Sequence, residues 1–431
     1  MKVLVIGSGG REHAICWKFS QNPAIEHIYC APGNGGTKLS FANTANVEIG
    51  VSEFEKLAAF ADENEIDFTF VGPEVPLAEG IVDFFEGKGL KIVGPSKEAA
   101  KLESSKIYSK EFMKKYGVPT AEFHKFYDID SALNFLNTWE ENKKAVVKAD
   151  GLAAGKGVYM CDGRADAVKA VREMMANNAM GKAGSSIVIE EFIDGQELSY
   201  LIFTDGESYS MMPAAQDHKR ANDNDEGLNT GGMGAYAPAP LATAELTKKV
   251  EDTIVKKTIE GIKSERLNYK GVLYVGVIMN GDTPYVLEYN CRFGDPETQA
   301  VLPLLDTDLT DISLALIDKK LSGIEIKWKN GAAVCVVLAS GGYPGKFDSG
   351  FEIRGLENVE DKNTIIFHAG TKNENGKILT AGGRVLGITS VAGDIKTAID
   401  EVYSQVKLIS FKNMHYRKDI AQKALQNQKQ V

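Results

Sequence analysis

A chain of 431 residues exceeds one ordinary domain and leads to an expectation of two to four. Its 43% hydrophobic and 25% charged residues are those of a globular enzyme, and a formal charge of -10 argues against a general nucleic-acid binder. The scattered Cys16, Cys30, Cys161, Cys291 and Cys335 form no CxxC pair, no apolar run has the length of a membrane span, and Met1–Gly7 lacks the features of a signal peptide, so a reducing cytoplasm is expected.

Residues 1 to about 103 read as a βαβ series. Residues 3–6 are a continuous apolar run, as in a buried parallel strand, followed by Gly7-Ser8-Gly9-Gly10 and a helix through Ile15 and Phe19. A second strand passes Ile28 and Tyr29 to Ala31-Pro32-Gly33. Residues 52–55 read as a capping box, with Ser52 ahead of Leu57 and Ala58. Residues 68–71 form the next strand, closed by Gly72-Pro73-Glu74. Pro76 is expected to open one helix carrying Leu77, Ile81, Phe84 and Phe85, and residues 90–93 to form a strand ending at Gly94-Pro95. This alternation predicts a doubly wound parallel sheet, which binds ligands at the carboxyl ends of its strands. Ser96 is expected to cap one helix through Leu102, Ile107, Phe112 and Tyr116, stopped by Gly117 and Pro119.

From 104 to about 325 the character changes to antiparallel hairpins with helices against them, an α+β pattern. Strands are expected at 146–148, 158–160, 187–189 and 198–203, the last turning at Asp205-Gly206. The apolar run 272–279 turns at Asn280-Gly281-Asp282 into a returning strand over 285–293. Residues 326–431 read as a third, small α+β unit with strands at 332–338, 365–367 and 384–388. It shows no constellation of nucleophile, base or metal ligands and is expected to pack and to cover substrate.

Side chains alternate along a strand, so Glu288, Asn290 and Arg292 share one face of 285–293. A carboxylate and an amide oxygen suit Mg²⁺ or Mn²⁺, and a neighbouring guanidinium suits phosphate. This is equipment for chemistry on a nucleoside triphosphate, and three such groups in a row count against a merely solvated edge. The glycines at 7–10 match G-x-G-x-x-G poorly, because position 12 is Glu and the second strand lacks an acid for a ribose hydroxyl. A smaller phosphate at that helix N-terminus is expected instead. Residues 151–157 resemble a P-loop but are one residue short, and Gly157 stands where Ser or Thr would reach a metal. A hairpin loop closing over phosphates with its amides and Lys156, beside Lys148 on the preceding strand, is the better reading. Asp217 and Lys219 followed by Thr230-Gly231-Gly232 suit a small zwitterion, though an exposed loop accounts for the spacing equally well. His218 has no Ser or Cys nearby for a nucleophile triad.

Several segments, in order, carry a resemblance: Gly7 to Ala14, Ala31-Pro32-Gly33-Asn34, Val71-Gly72-Pro73-Glu74, Lys148 to Gly157, Gln216 to Arg220, Asn229 to Gly234, Glu288 to Glu297, Ser340 to Gly345 and Gly382 to Gly387. Together they resemble the ATP-grasp ligases, and more closely the phosphoribosylamine–glycine ligase (glycinamide ribonucleotide synthetase) family. Ser8 stands where many members carry Asn. The resemblance implies an N-terminal doubly wound domain (1–103), a central ATP-grasp domain (104–325) with a mobile subdomain at about 120–192, and a C-terminal domain (326–431). It implies that glycine carboxylate attacks ATP, and that the amine of 5-phosphoribosylamine then captures the glycyl phosphate.

Residue by residue, it implies that Glu288 and Asn290 hold Mg²⁺ or Mn²⁺. Lys106 and Lys148 grip nucleotide phosphates, with Gly155, Lys156 and Gly157 on the closing loop. Glu191 and Phe192, in one stretch with Glu190, meet adenine, and Glu197 meets the ribose. Arg292 steadies the transferring phosphoryl group. Asp217, Lys219, Thr230, Gly231 and Gly232 seat glycine. Gly9, Gly10, Asn34, Pro73 and Glu74 face phosphoribosylamine, and Asp295 and Glu297 close the gap between substrates. Partners are then small molecules, with neither nucleic acid nor membrane, and the chain a monomer or weak homo-oligomer. The rival readings are another ATP-grasp carboxylate–amine ligase or purine ribonucleotide carboxylase, a nicotinamide-dependent oxidoreductase, and a non-catalytic nucleotide-binding regulator.

Overall fold

The computed structural model describes residues 1–37, 41, 43–153, 157–176 and 181–427. The first layer is a five-stranded parallel sheet of β1 (Lys2–Gly7), β2 (His27–Pro32), β3 (Thr44–Asn46), β4 (Phe68–Val71) and β5 (Ile92–Val93), in the order β3-β2-β1-β4-β5. Its central strand is apolar on both faces because both are covered: Val3 and Val5 join one core cluster, Leu4 and Ile6 another.

The helices of this layer depart from the expected boundaries at three places. The first of them is Phe54–Glu63, which starts without a Ser52 cap, because the Ser52 hydroxyl donates to Glu79 and Glu53 accepts from the Gly50 amide. The helix expected from Pro76 is two helices, Glu74–Glu79 and Ile81–Gly87, divided at Gly80, whose φ of 102° only glycine adopts readily. The helix expected from Ser96 is likewise divided, into Lys101–Ser104 and Lys106–Tyr116. There the Lys106 amide donates to the Asp150 carbonyl (2.9 Å) and the Ile107 amide to Asp150 Oδ1 (2.8 Å), so a distant loop takes the bonds that would continue the helix. Ser105 caps the second piece, and Gly117 ends it in the left-handed conformation, as its sequence predicts.

A second, antiparallel sheet comprises β6 (Phe123–Phe126), β7 (Ala145–Ala149), β8 (Val158–Cys161) and β9 (Ile187–Glu191), in the order β6-β9-β7-β8. Lys148 pairs with Val158, so the glycine-rich connection is a hairpin and not a strand-to-helix P-loop. The chain continues through β10 (Gln196–Thr204), β11 (Tyr209–Met211), β12 (Gln216–Asp217), the hairpin β13 (Arg220–Asn222) and β14 (Glu226–Asn229), and β15 (Gly234–Ala237). Then come β16 (Gly271–Asn280) and β17 (Thr283–Asn290), joined by the two-residue turn Gly281-Asp282. The third sheet is β11-β10-β16-β17. β17 stops at Asn290, short of the expected 293, because the Cys291 amide donates to Glu103 Oε2 (2.6 Å).

The C-terminal strands are β18 (Ala332–Ser340), β19 (Thr364–His368), β20 (Thr371–Glu374), β21 (Lys377–Thr380), β22 (Arg384–Ala392) and β23 (Met414–His415). Their main sheet runs β12-β15-β18-β22-β19, with β23 on β18. Two strands from 216–237 therefore complete the sheet of the C-terminal segment, which fastens the loop between them to that segment. No described helix is long and apolar enough to cross a membrane.

Candidate active site

A cavity of about 440 Å³ opens where β17 ends, beside the β7–β8 hairpin, the helix that follows β4 and the start of β22. Glu288, Asn290 and Arg292 all line it, although Arg292 lies beyond the strand and reaches back to donate to Asn290 Oδ1 at 2.9 Å. The expected shared face thus survives the early end of the strand.

At one end Lys106 Nζ lies 3.0 Å from Glu288 Oε2. The nearby ammonium, against burial, holds the Glu288 carboxyl well below the usual carboxylate range. Lys106 itself is raised, burial being outweighed by the attraction of Glu288. Among the described residues no cluster of three or more His, Cys, Asp and Glu side chains is gathered to hold a metal. The donor set is instead one carboxylate and one amide oxygen. That fits Mg²⁺ or Mn²⁺, which take one or two protein oxygens and complete their shell from substrate phosphates and water.

In the middle, burial pushes Asp217 up to about 7, against the pull of Lys219. Lys219 is held well above its ordinary value: burial opposes this, and Glu197 and Asp217 outweigh it. Glu197 is therefore paired with Lys219 at 2.5 Å and lies outside the cavity lining. Thr230 and Gly231 line the cavity, and the Thr230 hydroxyl donates to the Lys219 carbonyl (2.9 Å). Glu297, buried, accepts from Ser199 at 3.0 Å, and Ser199 also meets the Tyr274 hydroxyl at 2.9 Å.

At the other end, Arg292 pairs with Glu103 (2.9 Å) and Glu74 (3.4 Å). Arg11 lies 3.9 Å from the same Glu74 and donates to the Phe293 carbonyl at 3.0 Å. The anion site expected at the first helix's N-terminus already holds a carboxylate: Glu12 Oε2 accepts from the Gly9 amide at 2.6 Å, and Arg11 neutralises Oε1. A Cβ on Gly7 or Gly72 would come within 2.4 and 2.1 Å of that side chain, so these glycines make room for Glu12. The fingerprint position at which a dinucleotide fold carries glycine is here filled by an acid, which opposes a pyrophosphate.

Twelve of the expected residues line the cavity: Glu74, Lys106, Gly157, Asp217, Lys219, Thr230, Gly231, Glu288, Asn290, Arg292, Asp295 and Glu297. Lys148 and Glu190 are not among the lining residues: Glu190 bridges Lys148 (3.0 Å) and Lys110 (2.9 Å), all three buried. Glu191 pairs with Lys143, and Lys144 Nζ lies 5.1 Å from the Phe192 ring centroid. Asn34 is not brought to the lining: its amide donates to the Ser8 and His368 carbonyls, and its oxygen accepts from Gly36 and Thr37. Gly9, Gly10, Pro73 and Gly232 are not among the lining residues, and Gly155 and Lys156 lie outside the described residues.

Five polar side chains of the lining were given no site role from sequence: Arg11, Glu103, Tyr274, Tyr343 and Arg384. The signals present were Arg11 directly after a glycine turn, and Arg384 after Gly382-Gly383 at a strand start.

Family models of phosphoribosylglycinamide synthetase match the chain in three consecutive pieces: the N domain over 1–103, the ATP-grasp (A) domain over 104–298 and the C domain over 333–423. The chain belongs to the phosphoribosylglycinamide synthetase family. It is 47% identical over 431 residues to the phosphoribosylamine–glycine ligase of Vibrio vulnificus (strain CMCP6), covering 100% of both chains. It is 48% identical over 425 residues to the trifunctional purine biosynthetic protein adenosine-3 of Gallus gallus, covering 98% of this chain and 42% of that protein's length. The crystal structure of phosphoribosylamine–glycine ligase from Thermotoga maritima superposes with a TM-score of 0.83 at 33% identity, over 98% of this chain and 100% of that one. All three family segments reach the cavity: Arg11 and Glu74 from the first, Lys106 and Glu288 from the second, Tyr343 and Arg384 from the third.

Proposed function

We propose that the chain is an ATP-dependent carbon–nitrogen ligase that joins glycine to 5-phosphoribosylamine, giving glycinamide ribonucleotide, ADP and phosphate. The observation that carries this reading is the convergence of all three family segments on one cavity. Lys106, Glu288 and Asn290 stand at one end, Asp217, Lys219, Thr230 and Gly231 in the middle, and Arg292 at the other end.

The glycine carboxylate oxygen attacks the γ-phosphorus of ATP, the bond to the β-phosphate oxygen breaks, and ADP leaves. The amine of phosphoribosylamine then attacks the acyl carbon, the carbon–oxygen bond to phosphate breaks, and the amine's spare proton leaves. Neither step needs a protein nucleophile. What the chain supplies is alignment and charge neutralisation.

Lys106 and the amides near Gly157 take the nucleotide's phosphates, and Arg292 the transferring phosphoryl group. Asp217 receives the glycine ammonium, while Lys219 and the Thr230–Gly231 backbone receive its carboxylate. Glu74 and Asp295 face the amine-bearing substrate, with Arg11 near its phosphate. Glu288 and Asn290 would hold Mg²⁺ or Mn²⁺, which supplies charge neutralisation on the triphosphate when bound. Lys148, held by Glu190, adds its positive charge from outside the lining. The setting is the cytoplasm, and the chain works as a monomer or weak homo-oligomer.

The test is ADP release with MgATP, adding glycine and freshly generated 5-phosphoribosylamine separately and together. Turnover that requires both supports the reading. Turnover with bicarbonate in place of glycine would favour a carboxylase instead.

A further inference from the structure

Arg384 belongs to the C-terminal segment, yet among the described residues the hydrogen bonds and ion pair of its guanidinium reach loops of the central segment. Nη1 donates to the Gly231 carbonyl at 2.6 Å and to the Asp295 carbonyl at 2.7 Å, and Nη2 pairs with Asp295 Oδ2 at 3.2 Å. A second group from the same segment holds the same loop: the Gly231 amide donates to the Tyr343 hydroxyl at 2.9 Å. The packing allows no slack. A Cβ on Gly383 would lie 2.3 Å from the Tyr343 ring, and one on Gly231 would lie 3.1 Å from Arg384 Cζ.

The two loops so joined both line the cavity and meet beside Arg384, where a Cβ on Gly232 would lie 2.4 Å from Pro296 Cδ. Gly231 follows Thr230, on the side of Asp217 and Lys219. Asp295 faces the N-terminal segment: a Cβ on Gly9 would lie 3.5 Å from Asp295 Oδ2. The planar fork presents its donors from two separated nitrogens, so Nη1 holds both carbonyls while Nη2 meets the carboxylate, whereas a lysine ammonium offers all its donors from one atom.

We propose that Arg384, with Tyr343, is a positioning residue for the second half-reaction. It fixes the wall that seats glycine against the wall that receives the amine. This rests on the ligase reading above. Once glycyl phosphate has formed, its acyl carbon has two fates. Attack by the amine breaks the carbon–oxygen bond, expels phosphate and forms the amide. Attack by water expels the same phosphate and returns glycine. The ratio depends on the distance between the two walls, and a misplacement of about 1 Å can change such a rate by about a hundredfold.

The experiment compares the full chain with its Arg384→Met, Arg384→Lys and Tyr343→Phe variants, with all three substrates present. It counts ADP released and labelled glycine incorporated in the same samples. The parent is expected to form one amide per ADP. Arg384→Met is expected to lower amide per ADP at least several-fold, with Arg384→Lys and Tyr343→Phe intermediate. A loss of folded protein lowers both counts together and leaves their ratio untouched, so the ratio reads positioning alone. If Arg384→Met does not fold, the two conservative variants carry the test. One amide per ADP in every folded variant would overturn the proposal. If the parent itself releases no ADP with glycine and phosphoribosylamine, the ligase reading fails, and this inference fails with it.

Discussion

Replacing Glu190 by Gln should destabilise the protein strongly and in a pH-dependent way. Glu190 is 2% exposed and is the shared partner of Lys148 (6%) and Lys110 (2%). Burial already lowers Lys110 to about 8 even with the carboxylate present. Removing one partner of a buried ion pair costs about 3–5 kcal/mol. A lysine stranded in this way can release its proton instead. From its ordinary 10.5, that release costs roughly 5 kcal/mol at pH 7 and roughly 2 kcal/mol at pH 9, at 1.36 kcal/mol per unit. The penalty is therefore capped near 3–5 kcal/mol at pH 7 and falls to at most about 2 kcal/mol at pH 9, where Lys110 of the parent has also largely released its proton. The sign is that of a lysine depressed in the folded state: the unfolded chain binds more protons, so the variant gains stability as pH rises. Urea unfolding of parent and variant at both pH values measures the deficit, and Trp139, packed in the same layer, contributes a fluorescence signal. A deficit below about 1 kcal/mol at pH 7, or one that is the same at pH 9, would refute the reasoning.

Three further outcomes are expected. Lys106→Met removes the cation paired with Glu288, and should lower turnover per active site by about a hundredfold in steady-state assays while leaving the melting temperature near that of the parent. Gly72→Ala drives a Cβ to 2.1 Å from Glu12 Oε1, displaces the carboxylate that caps the first helix, and should cost about 1–3 kcal/mol in thermal unfolding; an alanine variant as stable as the parent would contradict the packing argument. His218 is buried and lowered to about 4, so its neutral form stabilises the fold above pH 6.5 and that stability is lost as pH falls towards 4. Between those values His218→Asn should flatten the slope of stability against pH by at most about 1.4 kcal/mol per unit, and an unchanged slope would remove His218 from the account.

What could be read in advance was local. The run 272–279, the Gly281 turn and the returning strand follow from side-chain alternation and one turn signal, and they bring Glu288, Asn290 and Arg292 to one cavity. The hairpin nature of the 151–157 connection was legible too, because its spacing departs from a P-loop. What could not be read depends on partners far away in sequence. The break at Ser105 is made by Asp150, and the early end of β17 by Glu103. Asn34, in a loop that looks suited to a ligand, spends its side chain on Ser8, Gly36, Thr37 and His368. Lys110 reads as an ordinary helix lysine, and only the fold places Glu190 against it. Arg384 reads as the start of a strand, and the sheet that joins β22 through β18 to β15 carries it to Gly231. The C-terminal segment was expected to carry no site residues, yet two of its side chains, Tyr343 and Arg384, form part of the cavity wall.

The central claim is that a carboxylate oxygen of glycine attacks the γ-phosphorus of ATP. It is tested most directly by supplying glycine with ¹⁸O in its carboxylate, together with MgATP and 5-phosphoribosylamine, and analysing the phosphate released. The account predicts one labelled oxygen in each phosphate, carried over when the amine breaks the acyl carbon–oxygen bond. Unlabelled phosphate, with the amide still formed, would contradict it.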